Sequence, residues 1–178
     1  MCGGRGVSAS GEMEAAPSRA AGGTPVYRTI VVGTDGSATA DKAVGVAGSL
    51  ARATGADLHV VMAYRPARVT ALAAAGAAGS AGIALPVPAW ADDEQRDAAE
   101  AVLRRTGDRL SGDGVQATVV ARFGEAADAL LATAEELDAD LIVVGNRGMN
   151  GVRRYLLGSV AGRVAHHARC SVHIAHTR

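Results

Sequence analysis

Cysteine, aromatic side chains, net charge and long apolar runs are all scarce in this chain, and each shortage excludes something. The 178 residues carry two cysteines, Cys2 near the start and Cys170 at the entry to the last predicted strand. That pair is no disulfide framework, and its sparseness fits a reducing, cytoplasmic setting. Aromatics make up 3% of the chain, so the core must be built from small aliphatic side chains. Lys+Arg and Asp+Glu stand at 18 each, which gives no overall pull towards nucleic acid or an anionic membrane. Any anion site must therefore be local. No apolar run approaches the ~20 residues of a membrane span. Neither the G-x-S-x-G elbow of a serine hydrolase nor the Lys-[Ser/Thr] ending of a Walker loop is present. With no evident base to orient water, we expect binding rather than catalysis.

What is present is an alternation of two patterns. Residues 28–34 (RTIVVGT), 57–63 (DLHVVMA), 115–121 (VQATVVA), 140–146 (DLIVVGN) and 171–177 (SVHIAHT) are short and rich in β-branched residues. The first and fourth are near-continuous apolar runs, as strands covered on both faces should be. Between them the spacing turns helical. Ala43, Ala47, Leu50 and Ala51 share one face, then Ala99, Val102, Leu103, Thr106 and Leu110. Ala127, Leu130, Leu131 and Ala134 mark a third helix, and Leu157, Val160, Ala161, Val164 and Ala168 a fourth. Strict alternation of strand and helix implies a doubly wound α/β fold with a parallel sheet and right-handed crossovers.

The length fits one domain, large enough to bury about 68 to 70% of its unfolded surface without metal or disulfide staples. Residues 1–26 are rich in Gly, Ala, Ser and Pro, lack the apolar core of a signal peptide, and read as a disordered tail. Met13 is a candidate start within it. Residues 65–91, equally rich in Ala, Gly and Pro, read as a long mobile loop in the second crossover.

In open α/β sheets, ligands sit beyond the carboxyl ends of strands where connections diverge. GTDGS (33–37) and GNRGMNG (145–151) occupy such places. Gly145, Gly148 and Gly151 leave backbone amides bare, and Gly158-Ser159 stands where the last helical pattern begins. A helix N-terminus has unsatisfied amides and roughly half a positive charge, so it attracts phosphate. Charge-assisted hydrogen bonds contribute about 1.5 to 3 kcal/mol each, so three or four reach micromolar affinity, about 8 kcal/mol. Arg147 adds a cation beside them. Turn geometry alone is the plainer reading of these glycines.

Gly145-x-x-Gly148, nine residues, then Gly158-Ser159 resembles the G-x-x-G-(nine)-G-[Ser/Thr] signature of the ATP-binding branch of the universal stress proteins. The opening RTIVVGTDGSATADKAV and the closing ARCSVHIAHT resemble that family's first and last segments, so the likeness spans residues 27–178. The resemblance implies an open five-stranded parallel sheet of order 3-2-1-4-5 with helices on both faces, the adenine nucleotide alpha-hydrolase-like variant of the Rossmann-like folds. It implies that Thr34 and Asp35 lie by the adenosine and that Ala63 borders the adenine. Gly145, Gly148, Gly158, Ser159 and Val160 would then wrap the phosphates, with Mg2+ or Mn2+ bridging phosphate oxygens without protein ligands. It also implies a homodimer through the last strand (171–177), with no nucleic acid or membrane partner. Two positions depart from the pattern. Ala161 stands where many members have Ser or Thr, and Cys170-Ser171-Val172 replaces Cys-Pro-Val.

The other polar residues have plainer uses. Asp35 is also a natural turn former, and Ser37 is the expected helix cap. His166 and His167 are neighbours on a helix, about 100° apart, and His173 and His176 fall on opposite faces of a strand, so neither pair makes a metal site. The reading is a cytoplasmic, ATP-dependent regulator whose 145–159 loop and 65–91 loop order on the nucleotide. Its alternatives are a cyclic-AMP-binding member of the family, a slow ATPase, and a nucleotide-free interaction module.

Overall fold

The computed structural model describes residues 26–65, 90–146 and 158–176. In chain order it shows β1 Thr29–Gly33, α1 Ala38–Thr54, β2 Asp57–Tyr64, α2 Trp90–Gly112 and β3 Ala117–Phe123. These are followed by α3 Ala126–Glu136, β4 Leu141–Gly145, α4 Ser159–His167 and β5 Ser171–Ala175. The strands form one parallel sheet in the order β3-β2-β1-β4-β5.

The apolar runs explain the middle of that order. Ile30, Val31 and Val32 of β1 and Ile142 and Val143 of β4 are fully buried, and the two strands pair as Ile30↔Leu141, Val31↔Ile142 and Val32↔Val143. Side-chain alternation splits them between two cores. Ile30, Val32, Leu58, Val60, Leu141 and Val143 pack with Ala43, Val44 and Ala47 of α1 and Leu103 and Leu110 of α2. Val31, Val61, Ile142 and Val144 pack instead with Ala127, Leu130 and Ala134 of α3 and Ala161 and Val164 of α4. Burying one such side chain contributes about 1.5 to 3 kcal/mol, so both layers are needed.

The amino end of the central pair is pinned by Asp140. Its Oδ2 accepts the Arg28 and Thr29 amides at 2.7 and 3.0 Å, and its own amide donates to the Thr29 carbonyl at 3.0 Å. Those two backbone donors hold its carboxyl below the usual carboxylate range. The register of β1 on β4 is thereby set at one end.

Several boundaries differ from the expectation. β3 begins at Ala117 rather than at residue 115, because Gly114, with φ 74°, turns the chain and the Val115 amide folds back onto the Leu110 carbonyl. It runs on to Phe123 because β2 pairs with it as far as Tyr64↔Phe123. α2 starts at Trp90, so the last two residues read as long loop are helical. β5 stops at Ala175, which leaves His176 beyond the strand and removes its expected place on the face opposite His173. The expected tail and the greater part of the 65–91 loop lie outside the described residues.

A crevice between the β1 loop and the start of α4

The chain leaves β1 towards the layer of α1 and α2, and reaches β4 from the layer of α3 and α4. Because β1 and β4 are neighbours, the connections part at this point and leave a crevice at the carboxyl edge. Gly33 closes β1. A Cβ there would lie 2.9 Å from Leu130 Cδ1, so glycine lets α3 pack down beside the crevice.

The segment after Gly33 is held by its own side chains. The Thr34 amide donates to the Val61 carbonyl at 2.9 Å, and Thr34 Oγ1 accepts the Gly36 amide at 3.2 Å. Asp35 Oδ1 accepts the Ser37 amide at 3.0 Å, an Asx turn. Gly36 takes φ 76°, which a side chain would resist. Ser37 caps α1 as expected, its Oγ accepting the Ala40 amide at 3.2 Å. The turn-forming use of Asp35 is therefore seen directly. It occupies Oδ1 and fixes where the carboxylate stands.

The start of α4 is built differently. Gly158 is its N-cap, with φ −55° and ψ 152°, and as a glycine it brings no side chain of its own to cap the helix. The Gly158 amide is taken by the Asn146 carbonyl at 3.2 Å, and the first helical bond runs from the Gly162 amide to the Gly158 carbonyl at 2.9 Å. Ser159, Val160 and Ala161 supply the amides of the first turn, and that turn holds no acidic residue. Ser159 is exposed and Val160 half-buried. The chemical character is that of an electropositive backbone edge.

Of the other expected site residues, Gly145 ends β4 opposite Ala175. Ala63 is half-buried two residues beyond Val61, the register partner of Gly33. Thr34, Asp35, Ala63, Gly145, Gly158, Ser159 and Val160 thus all belong to the carboxyl edge. Arg147, Gly148 and Gly151 lie outside the described residues. Sequence reading missed a group of ion pairs near Ala63. Arg122 of β3 is its register partner and forms a two-pronged pair with Glu136, one arm at 2.9 Å. Arg65 pairs with Glu125, the N-cap of α3. The partners are 14 and 60 residues apart in sequence, and no local pattern announces them.

A smaller concavity of about 210 Å3 lies at the opposite edge, lined by Leu131, Glu135, His167, Arg169 and Cys170 among others. It is below the roughly 300 to 1,000 Å3 of ligand pockets. Burial pushes the Cys170 thiol up, so it is a poor nucleophile. Among the described residues no group of three or more His, Cys, Asp or Glu is placed to hold a metal. Among them, no helix is long and apolar enough to cross a membrane.

The sequence profile of the Universal stress protein family matches residues 26–176. The chain belongs to the universal stress protein family. Universal stress protein YxiE of Bacillus subtilis (strain 168) is 31% identical over 151 residues, covering 83% of this chain and 97% of that one. Universal stress protein Rv1636 of Mycobacterium tuberculosis (strain ATCC 25618 / H37Rv) is 36% identical over 157 residues, covering 85% and 97%. A solved universal stress protein in complex with cAMP aligns with a TM-score of 0.60 at 34% identity, over 85% of this chain and 98% of that one. Universal stress protein UspA from Lactobacillus plantarum aligns at a TM-score of 0.66 over 85% and 98%, and at 22% identity it speaks for the fold alone. The order β3-β2-β1-β4-β5 of this universal stress protein is the one the resemblance implies.

Proposed function

We propose that this universal stress protein binds ATP in the crevice and acts as a nucleotide-dependent cytoplasmic regulator. One observation carries the reading: the first turn of α4 opens without a side-chain cap at the edge where Thr34 and Asp35 follow β1. The amides of Ser159, Val160 and Ala161 and the Ser159 hydroxyl take phosphate oxygens. Gly145 lets the main chain come close, and Gly148 and Arg147 join them on the strength of the sequence motif. Asp35 lies by the ribose, and Ala63 borders the base. Mg2+ or Mn2+ travels with the triphosphate, held by its oxygens. On this reading ATP acts as ligand rather than fuel, in keeping with a sequence that carries neither a hydrolase elbow nor a Walker ending.

The relative solved with cAMP, at 34% identity, favours a second reading in which the same crevice takes a cyclic nucleotide. Competition calorimetry separates the two. ATP displaced only at large excess by cyclic AMP supports our reading, whereas the reverse order selects the second and binding of neither removes both. We propose a homodimer through β5 as the output surface. Among the described residues that strand pairs only with β4, which places it at the edge of the sheet, where amides and carbonyls invite another chain. Sedimentation of the full chain as a dimer, and as a monomer after Ile174→Pro, is the expected outcome.

A further inference from the structure

We infer that Glu125, held in place by Arg65, recognises the exocyclic amino group of adenine and so sets the base preference of the crevice. The inference rests on the nucleotide reading above and deepens it. Along β2, Val61 and Ala63 face the α3 layer, and alternation gives Arg65 the same side. The Gly124 amide donates to the Tyr64 carbonyl at 2.9 Å, so the start of α3 is tied to the end of β2. Glu125 therefore stands just past Ala63, at the base end of the crevice.

Glu125 occupies the N-cap of α3 yet makes no side-chain cap bond, and its carboxylate turns to Arg65 instead. Side-chain exposures of 46% for Arg65 and 50% for Glu125 make this a surface pair, worth about 0 to 1 kcal/mol as a staple. Its placement matters more than its strength. An ionised carboxylate has about four acceptor sites, and Arg65 engages Oε2, leaving Oε1 to accept. The neighbouring Arg122 is committed to Glu136 through both terminal nitrogens. Adenine offers an amino donor to Glu125. Hypoxanthine and guanine put a carbonyl oxygen there, which a carboxylate repels. Arg65 is a positioning residue, fixing the carboxylate's rotamer.

Calorimetry with ATP and inosine triphosphate tests this, because the two ligands differ at the base only in the group at C6 and in the proton that N1 carries beside the inosine carbonyl. The wild-type protein should prefer ATP by about tenfold or more, the range of a hydrogen bond to a charged partner. Glu125→Ala should bring the two affinities to within about twofold by weakening ATP alone. Arg65→Ala should narrow the preference and Arg65→Lys should restore most of it. Should Glu125→Ala fail to give the wild-type circular dichroism, Glu125→Gln should show an intermediate preference. Equal loss for both nucleotides, or no wild-type preference, would overturn the inference while leaving nucleotide binding intact. Binding of neither nucleotide to wild type would overturn both.

Discussion

Two helices begin at the same edge of the sheet and are finished in opposite ways. α1 is sealed: Ser37 caps it, Asp41 complements its dipole, and Arg109 of α2 grips Asp41 at 2.7 Å. α4 opens on Gly158 with no side-chain cap and no acid in its first turn. A helix started by glycine forgoes roughly a few tenths of a kcal/mol that a Ser or Asp would supply. The contrast teaches that the two loops have different tasks. The one after β1 is a wall made by its own hydrogen bonds, and on the proposed reading the first turn of α4 keeps its amides for an outside anion.

The sharpest way to break the contrast is to seal α4 as α1 is sealed. The backbone angles of Gly158 are open to any residue, so Gly158→Asp should cap the first turn. We expect thermal stability to hold or rise by roughly a few tenths of a kcal/mol, and ATP affinity to fall by about a hundredfold or more, on the summed loss of amide contacts. Differential scanning fluorimetry and calorimetry on one sample read both. Next in size is the wall itself. Gly36→Val sets a β-branched residue at φ 76° with its Cβ about 3.0 Å from Val102 Cγ1, and should cost ~1 to 3 kcal/mol in urea denaturation. Ser37→Ala removes the cap of α1 and should cost about 1 kcal/mol by the same method.

The smallest effect is electrostatic. The Arg109 guanidinium holds the Asp41 carboxyl below its usual range, so its contribution is present above the ordinary pKa of about 4 and is lost as pH falls through the lower, folded value. Asp140, depressed by two backbone amides, follows the same sign. Asp41→Asn should thus lower stability by under ~1 kcal/mol at pH 7, with the difference from wild type vanishing near pH 2.

The sheet was legible because β1 and β4 are uninterrupted apolar runs, and period-two alternation leaves few other places for Ile30, Val31 and Val32. Its strand order was legible only through the family resemblance, since parallel pairing leaves no mark in local sequence. The cap of α1 followed from a single serine at the right step. Val44, fully buried beside Ala43 and Ala47, escaped the helical reading, because the apolar stripe of α1 is wider than one row of small residues. The ends of β3 were misplaced by two residues because Val115 is apolar for a different reason: it packs under α1 and α2 after a left-handed glycine. At the crevice, glycine spacing and Asp35 pointed to the carboxyl edge, where the described members of that set stand. The Arg65–Glu125 and Arg122–Glu136 pairs did not show, since each joins residues that only the folded sheet brings together.

The most direct test is the amide nuclear magnetic resonance spectrum of the full chain with and without saturating ATP. Large shifts at Ser159, Val160 and Ala161, with the capped amide of Ala40 nearly still, are the predicted result. Shifts spread equally over both helix starts, or none at α4, would contradict the claim that α4, and not α1, keeps its first turn for phosphate.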